Sequence, residues 1–396
     1  MSSNTTLKSI PRSVIALGVV SLFMDASSEM IHSLLPVFMV STLGASALAV
    51  GVIEGIAEAT ASITKIFSGV ISDWIGKRKP LVLIGYSMAA FTKPLFALAH
   101  SIHAVLVARF VDRIGKGVRG APRDALITDL VTKEQHGAAF GLRQSMDTIG
   151  AFLGPIVAMA LMFLTADNYR AVFWVSFIPA FAAVLVIIFA VKEPEQHKAA
   201  AKKPFPIQKS ELAKLPVSFW VTVVFASAFT LARFSEAFLI LRADVDGLSP
   251  ALVPLVLIVM NIVYSGCAYP VGKLSDRIGK GGLLMGGLAV LIVADLLLAK
   301  GGNLWLAFAG TVLWGVHMGM TEGLLSALIA DKAPGDLRGT AFGVFNLLKG
   351  IVGLVASVLA GELWASYGPA ETFIAGAIFA LIALVGLWSV RGKHVQ

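Results

Sequence analysis

Apolar residues occur along this chain in twelve long stretches, and the short segments between them hold most of the polar residues. A helix needs about 20 apolar residues to cross a hydrocarbon layer of about 30 Å, because its backbone polar groups must all be satisfied within the helix. We therefore predict twelve membrane-spanning helices. They lie near residues 13 to 40, 48 to 72, 80 to 100, 103 to 125, 138 to 164, 171 to 191, 217 to 241, 251 to 274, 283 to 300, 304 to 328, 341 to 365 and 372 to 390.

The second half of the chain repeats the first. The segment ALITDLVTKEQHGAAFG at 125 to 141 returns as ALIADKAPGDLRGTAFG at 327 to 343, and GVISDWIGK at 69 to 77 returns as GKLSDRIGK at 272 to 280. Two such matches in the same order and at nearly the same offset indicate a duplicated unit. We predict two parallel six-helix halves, residues 1 to 191 and 217 to 396, joined by a cytoplasmic linker at 192 to 216.

Composition places these helices in a membrane. The chain is 57% hydrophobic and 14% charged, with a mean hydropathy of +0.83, whereas soluble domains carry about 25% charged residues. The first apolar stretch is long and includes Asp25 and Glu29. It lacks the short apolar core and cleavage pattern of a signal peptide, so we expect it to remain in the mature protein.

The basic residues indicate the topology. They concentrate in alternate connections and at the termini, while the opposite connections hold only Arg170, Arg242 and Lys300. The positive-inside rule then places both termini in the cytoplasm. The net charge of +8 is explained by topology, so no nucleic-acid partner is expected. We expect a monomer in the cytoplasmic (inner) membrane, with the lipid bilayer as its surroundings.

One loop carries a family signature. The segment from Gly69 to Lys79 resembles the G-x-x-x-D-R-x-G-R-[RK] signature between the second and third helices of the major facilitator superfamily, with Trp74 in place of the first arginine. The resemblance covers the whole chain and implies an all-α membrane fold with substrate bound between the halves. It implies a gating role for Gly69, Asp73, Gly76, Arg78, Asp276 and Arg277. Asp73 is expected to make its gating contact only when the cytoplasmic side is closed; the lysines beside it are equally explained as topology charges.

Two further segments resemble motifs of the proton-coupled antiporter branch. Arg109 to Arg113 is similar to R-x-x-Q-G, which places an arginine in the membrane, but Asp112 replaces the glutamine and could pair with Arg109 on the same helix. Gly150 to Pro155 is similar to G-x-x-x-G-P. Small residues at this spacing equally indicate a helix packing face.

Carboxylates inside the membrane are candidates for proton coupling. Charged groups there are costly and often mark proton pathways. Asp25, Glu29 and His32 share one face of the first helix, and Glu54 and Glu58 share one face of the second. The predicted proton-coupling residues are Asp25, Glu29, Glu58 and Glu236, with Asp25 first. The alternative is that these acids form permanent pairs with Lys65, Lys93 or Arg113.

Other polar residues in the spans are predicted to line a substrate cavity between the halves. They are His32, Glu54, Lys93, Arg109, Arg113, Arg143, Asp147, Arg233, Asn261, His317, Glu322 and Lys349. Asp147 and Lys349 occupy equivalent places in the repeat, which suggests a gating pair across the halves. Arg143 could instead neutralise Asp147, and Arg233 could pair with Glu236 on its own helix.

A metal site is an alternative interpretation of the tenth helix. His317 and Met320 share a face, and imidazole with thioether ligands suits Cu(I); Met24, Met30 and His32 could contribute. Methionine in such helices is also ordinary core packing. The single cysteine, Cys267, excludes a multi-cysteine metal site and an internal disulfide.

No nucleotide-binding loop or catalytic motif occurs, so the sequence predicts neither an enzyme nor a cofactor. It predicts a secondary active transporter that couples a small-molecule substrate to protons by alternating access, with export preferred. The alternatives are proton-driven uptake of a small organic anion or metal chelate, a transition-metal transporter using His317 and Met320, and a membrane sensor that does not transport.

Overall fold

The computed structural model describes residues 10 to 193, 212 to 334 and 337 to 394, and these residues form helices and short connections without a strand. The all-α prediction is confirmed, and each predicted span corresponds to a helix. The first six are α1 (Arg12–His32), α2 (Ala47–Ile75), α3 (Lys79–Leu98), α4 (Ile102–Leu130), α5 (His136–Leu164) and α6 (Tyr169–Ala190). The others are α7a (Val217–Ala232), α7b (Ala237–Val245), α8 (Leu255–Ile278), α9 (Lys280–Lys300), α10 (Leu304–Lys332), α11 (Arg338–Tyr367) and α12 (Pro369–His394).

The first helix of each half is interrupted. After α1 the chain turns at Ser33 and continues through Leu35–Val37 and Phe38–Thr42. The seventh span, predicted as one helix, breaks between Ala232 and Ala237, and Ser235 Oγ accepts a hydrogen bond of 3.2 Å from the Ala237 backbone N–H at the new start. No proline or glycine signals this second break.

Helix α4 differs from the other spans in composition. The remaining spans are long and apolar enough to cross a membrane, and α4 is not, because charges recur along it. It packs between α2 and α3. Its residues Arg109, Asp112 and Arg113 are at most 5% exposed, so these charges lie within the protein and not against lipid.

Small residues bring the two halves together along α2 and α11. A Cβ at Gly51 would lie 2.2 Å from the Ser357 carbonyl oxygen, and one at Gly361 would lie 2.7 Å from the Ala47 carbonyl oxygen. These glycines therefore permit a backbone contact that no larger residue allows.

The halves are packed on one side of the membrane and separated on the other. We call the side that carries the chain termini the terminal side, and the opposite one the far side. On the far side one apolar cluster joins both halves, including Leu35, Phe38, Phe238 and Leu241. The other clusters each belong to a single half. Among the described residues α4 and α10 make no extensive contact, so the space between the halves opens toward the terminal side.

Part of the predicted linker, residues 194 to 211, lies outside the described residues. The bounds of the two halves stay a prediction.

Candidate functional site

A cavity of about 450 Å³ lies between the halves. Helices α1, α2 and α4 line it from the first half, and α7a, α7b, α10 and α11 line it from the second. Its charged side chains balance in number: five carboxylates face five bases. They are Glu29, Glu54, Glu58, Glu236 and Glu322, and Arg109, Arg113, Lys116, Arg233 and Lys349, with His32 and His317 among them.

The first half contributes a connected cluster centred on His32. Arg109 Nη2 donates to Glu54 Oε2 at 2.6 Å, and Arg109 Nη1 also contacts the His32 ring. Arg113 Nη2 donates to His32 Nε2 at 2.8 Å, while His32 Nδ1 lies 3.4 Å from Glu29 Oε1. A ring nitrogen that accepts from guanidinium groups is unprotonated, so the arrangement fits a neutral imidazole with its proton on Nδ1, facing Glu29.

The second half contributes a simpler pair beside the break in the seventh span. Arg233 Nη2 donates to Glu322 Oε1 at 2.6 Å, and Lys349 Nζ lies 3.9 Å from the same oxygen. The predicted local pair of Arg233 with Glu236 is not formed, because Arg233 reaches across to α10. This contact anchors the interrupted backbone at the cavity wall.

Three charged groups of the cavity lack a partner. The side chains of Glu58, Glu236 and Lys116 form no hydrogen bond or ion pair with another residue in the part of the chain that the structure describes. Glu58 and Lys116 are exposed to the cavity. A solute or a proton can therefore interact with them without first breaking an ion pair.

The structure places four predicted cavity residues elsewhere. Lys93 is 1% exposed and donates to Asp112 Oδ1 at 3.1 Å and to Ser28 Oγ at 3.1 Å, so it lies inside the first half. Arg143 pairs with Asp147 at 2.9 Å on the same helix, outside the cavity lining. Asn261, on α8, is also absent from that lining. The three charged residues among these, Lys93, Arg143 and Asp147, each pair within the first half.

Two predicted ion pairs are not formed, because their charged groups bind other partners. Asp147 and Lys349 do not meet across the halves in this conformation, since Asp147 binds Arg143 and Lys349 lies nearest to Glu322. Asp112 binds Lys93 instead of Arg109.

Asp25 lies at the contact between α1 and α5 and not in the cavity lining. A Cβ at Gly150 would lie 2.4 Å from the Leu22 carbonyl oxygen and 3.1 Å from Asp25 Cβ, and one at Gly154 would lie 2.7 Å from Glu29 Cβ. The two glycines thus act as a packing face for the helix that carries both acids.

The predicted gating loop forms a network within the first half. Arg78 pairs with Asp73, donates to Ser72 Oγ at 2.8 Å and lies 3.4 Å from Asp129 Oδ2. The backbone N–H of Lys79 donates to Glu193 at 3.2 Å. The Asp73 contact is present although the cavity is open on this side, which contradicts the expectation that it forms only on closure. Both partners belong to the same half, so the pair requires no contact between the halves.

Glycines of the loop have structural roles. Gly76 ends α2 with φ +68°, a conformation that favours glycine, and a Cβ at Gly69 would lie 3.4 Å from Ala121 Cβ on α4. In the second copy, Lys280 pairs with Asp331, which is the repeat equivalent of Asp129. Arg277 is exposed there, and the Asp276 side chain lies outside the described residues.

Some residues that line the cavity were not predicted from the sequence. Lys116 was not among the predicted cavity residues, yet it shares a face of α4 with Arg109 and Arg113 and lines the cavity. The spacing of the three bases, four and then three residues apart, is the signal that could have found it. Phe234 and Asn346 also line the cavity, and no sequence pattern distinguishes them from other residues in the spans.

The residues of the alternative metal site do not converge. His317 Nδ1 bonds the Gly287 carbonyl oxygen at 2.8 Å, whereas Met320 packs toward Gly286 and is absent from the cavity lining. Met24 and Met30 are buried in apolar clusters. Within the described residues no group of three His, Cys, Asp or Glu side chains is placed to hold a metal ion.

Comparisons with known proteins agree with this architecture. The family model described as Major Facilitator Superfamily matches residues 17–357 and 247–395. An uncharacterized MFS-type transporter of Methanocaldococcus jannaschii, MJ1317, is 30% identical over 96% of this chain and 95% of its own length. The multidrug resistance protein MdtH of Salmonella typhi is 25% identical over 84% of this chain and 82% of its own length. The crystal structure of the nucleoside transporter NupG shares the fold with a TM-score of 0.74 at 15% identity, covering 96% of this chain and 99% of that one.

Proposed function

Because this chain belongs to the Major Facilitator Superfamily and is a multi-pass membrane transporter of that family, we propose that it couples movement of a small polar solute to movement of protons. The two halves would rock about the central cavity and expose it alternately to the two sides of the membrane. The observation that supports this proposal best is the cavity itself, which holds ten charged side chains between halves that one apolar cluster joins on the far side.

The lining favours a solute with polar or charged groups over an apolar one. Burying a charged lining against an apolar molecule would leave those groups without water or partners, which is costly. The unpaired Lys116, Glu58 and Glu236 can bind solute groups of either charge. Asn346 adds an amide that both donates and accepts hydrogen bonds.

Four carboxylates support proton coupling. Glu58 and Glu236 are unpaired in the cavity, Glu29 faces His32, and Asp25 forms no hydrogen bond or ion pair with any described residue. Such groups can change protonation as their access to water changes. Asp25 remains our first candidate, because a site next to the cavity but not in it can exchange protons without competing for the solute.

We propose export as the direction, with the inner membrane as the location, both termini cytoplasmic and a monomer as the working unit. The relatives include a protein named for multidrug resistance, and the segment from Gly150 to Pro155 resembles an antiporter motif. With cytoplasmic termini, the cavity as observed would open to the cytoplasm and could load a solute for export.

Uptake of a small organic anion is the second candidate. Arg109, Arg113 and Lys116 form a row of bases on one face of α4, and such a row can bind carboxylate or phosphate groups. This row is the observation that favours an anionic solute.

Reconstituted protein tests the proposal. A thermal-shift screen of metabolites and drugs first identifies a ligand, since binding to the folded state raises its stability. The ligand is then added to proteoliposomes that hold a pH-sensitive dye and an imposed pH gradient. We expect the ligand to drive proton movement with the wild type, and the direction of solute flux to distinguish export from uptake.

Variants separate proton coupling from binding. Asp25→Asn should abolish ligand-driven proton movement and keep the thermal shift, because Asp25 does not line the cavity. Glu236→Gln should change both, and Glu362→Gln, on an exposed position of α11, should change neither. Solute flux without proton movement in the wild type would refute the coupling. Ligand binding without solute flux would instead favour the alternative of a membrane sensor that does not transport.

A further inference from the structure

Two polar groups remain unsatisfied in the second half, away from the central cavity. Asp295 on α9 is fully buried, with 0% exposure, and neither carboxylate oxygen has a hydrogen-bond partner among the described residues. Trp314 on α10 is also fully buried, and its indole Nε1–H is likewise unpaired there. Buried polar groups are nearly always hydrogen-bonded. An acceptor and a donor that both lack partners therefore indicate either a bound ligand or a second conformation of this part of the protein.

Phe234 packs against Trp314, lies near Asp295 and lines the cavity. It lies in the break between α7a and α7b and lines the central cavity. Its ring packs against Trp314 with centroids 5.4 Å apart. A Cβ at Gly376 of α12 would lie 3.0 Å from Phe234 Cε1 and 2.6 Å from Asp295 Oδ2. Phe234 thus lies beside both the central cavity and the pocket that holds Asp295.

The glycine at 376 makes room for the carboxyl group. Any side chain at that position would overlap Asp295 Oδ2 and the Phe234 ring. The close approach of α12 thus encloses Asp295 among Gly376, Phe234 and neighbouring apolar groups.

No charge from the surrounding elements compensates Asp295. Titratable side chains on the helices packed against α9 and beside the break include His317 and Glu322 of α10, Glu371 of α12, Tyr264 of α8, and Arg233 and Glu236. Arg233 is bound to Glu322, and the His317 Nδ1 is bound to Gly287. None of the six forms an ion pair or hydrogen bond with Asp295 within the described residues.

We propose that Asp295 is a proton-binding site behind Phe234, protonated in this conformation, and that Phe234 controls its exchange with water of the cavity. An isolated carboxylate in a dry interior would be strongly unfavourable, whereas a neutral carboxylic acid has a much smaller desolvation cost. Displacement of Phe234, which belongs to the interrupted span, would admit water to Asp295 and to the Trp314 N–H. The site goes beyond the proposed cavity function and does not require that the cavity acids carry the coupled proton.

Infrared spectroscopy of the purified full-length protein in lipid nanodiscs tests the proton directly. The wild-type spectrum minus that of Asp295→Asn should show the carbonyl stretching band of one protonated carboxylic acid at neutral pH. Asp295→Leu should give the same difference band if the asparagine variant does not fold. A carboxylate band in the difference spectrum would overturn the proposal.

Deuterium exchange of that band tests the role of Phe234. The band should shift slowly on transfer of the wild type to heavy water and at least tenfold faster in Phe234→Ala or the milder Phe234→Leu. Phe345→Ala is the matched control, since Phe345 lines the same cavity on α11 and is 7% exposed. Equal acceleration in the Phe345 variant would refute control by Phe234.

A salt comparison distinguishes a proton from a metal cation. The unfolding temperature of the wild type should be the same in sodium chloride and in choline chloride at equal ionic strength. A higher unfolding temperature in sodium chloride that is lost in Asp295→Asn would overturn the proposal of a bound proton in favour of bound sodium. These measurements involve no transport, so they can fail or succeed independently of the proposed function.

Discussion

Individual charges in this protein have two kinds of surroundings. Lys93 and Asp112 are buried together, with side chains 1% and 5% exposed, and they hold α3 against α4. Lys349 is 39% exposed and lies at the edge of contact with Glu322. The first pair has a structural role within one half, whereas the second faces water in the cavity and is free to exchange partners.

This difference predicts unequal losses of stability. Lys93→Met should lower the free energy of unfolding by about 3 to 5 kcal/mol, because it leaves Asp112 buried without its main partner. Lys349→Met should lower it by less than about 1 kcal/mol, since an exposed pair contributes little. Unfolding in detergent, followed by circular dichroism, measures both.

The double variant Lys93→Met with Asp112→Leu is the control. It should recover most of the lost stability, because no unpaired charge remains. Equal losses of stability in Lys93→Met and Lys349→Met would show that the buried pair contributes no more to stability than the exposed one.

Among the helices, α2 and α11 form the closest contact between the halves, and it depends on glycine. Gly51 faces a backbone oxygen of α11, whereas Gly353 faces open space, with Thr230 Cγ2 at 3.8 Å from the position of its Cβ. The two helices form a seam between the halves, about which α4 and α10 can change their separation on the terminal side.

A single methyl group tests the seam. Gly51→Ala should reduce stability by about 1 to 3 kcal/mol, because the added Cβ would lie 2.2 Å from the Ser357 carbonyl oxygen and force the helices apart. Gly353→Ala adds the same group where there is room and should leave stability unchanged or slightly higher. The unfolding temperatures of the two variants provide the comparison. Similar values would mean that α2 and α11 can move apart to accept the added methyl group without loss of stability.

At the scale of the whole molecule, the predicted gating pair would form only by an exchange of partners. Asp147 and Lys349 lie on α5 and α11 and are bound locally in the open arrangement, to Arg143 and Glu322. We retain the hypothesis that they meet when the halves close. A ligand or proton that favours one arrangement then shifts the population, tenfold for about 1.4 kcal/mol of differential binding.

Charge reversal tests this exchange without a known substrate. In a Cys267→Ser background, spin labels at Thr128 on α4 and Lys332 on α10 report the separation of the terminal-side helix ends. Lys349→Asp alone should reduce the fraction of short distances, because two like charges would then meet. Adding Asp147→Lys should restore that fraction.

Arg143→Gln serves as the control for local pairing. It removes the competing partner of Asp147 and should raise the fraction of short distances. No restoration in the double reversal would mean that Asp147 and Lys349 act only within their own halves.

The sequence by itself determined the helices, the repeat and the kinds of chemistry available. Apolar runs of spanning length, recurring motifs and intramembrane charges are local properties, so the twelve spans were predicted to within a few residues and most charged cavity residues were named, among them Arg109, Arg233 and Glu322. Only the tertiary structure decided which charges pair. Lys93 binds Asp112 and Arg233 binds Glu322 because helices distant in sequence bring them within reach, and spacing along one helix cannot reveal such partners. The break at Phe234 and the unpaired Asp295 behind it depend on the same packing, in which a buried group gains its character from neighbours that the linear pattern does not specify.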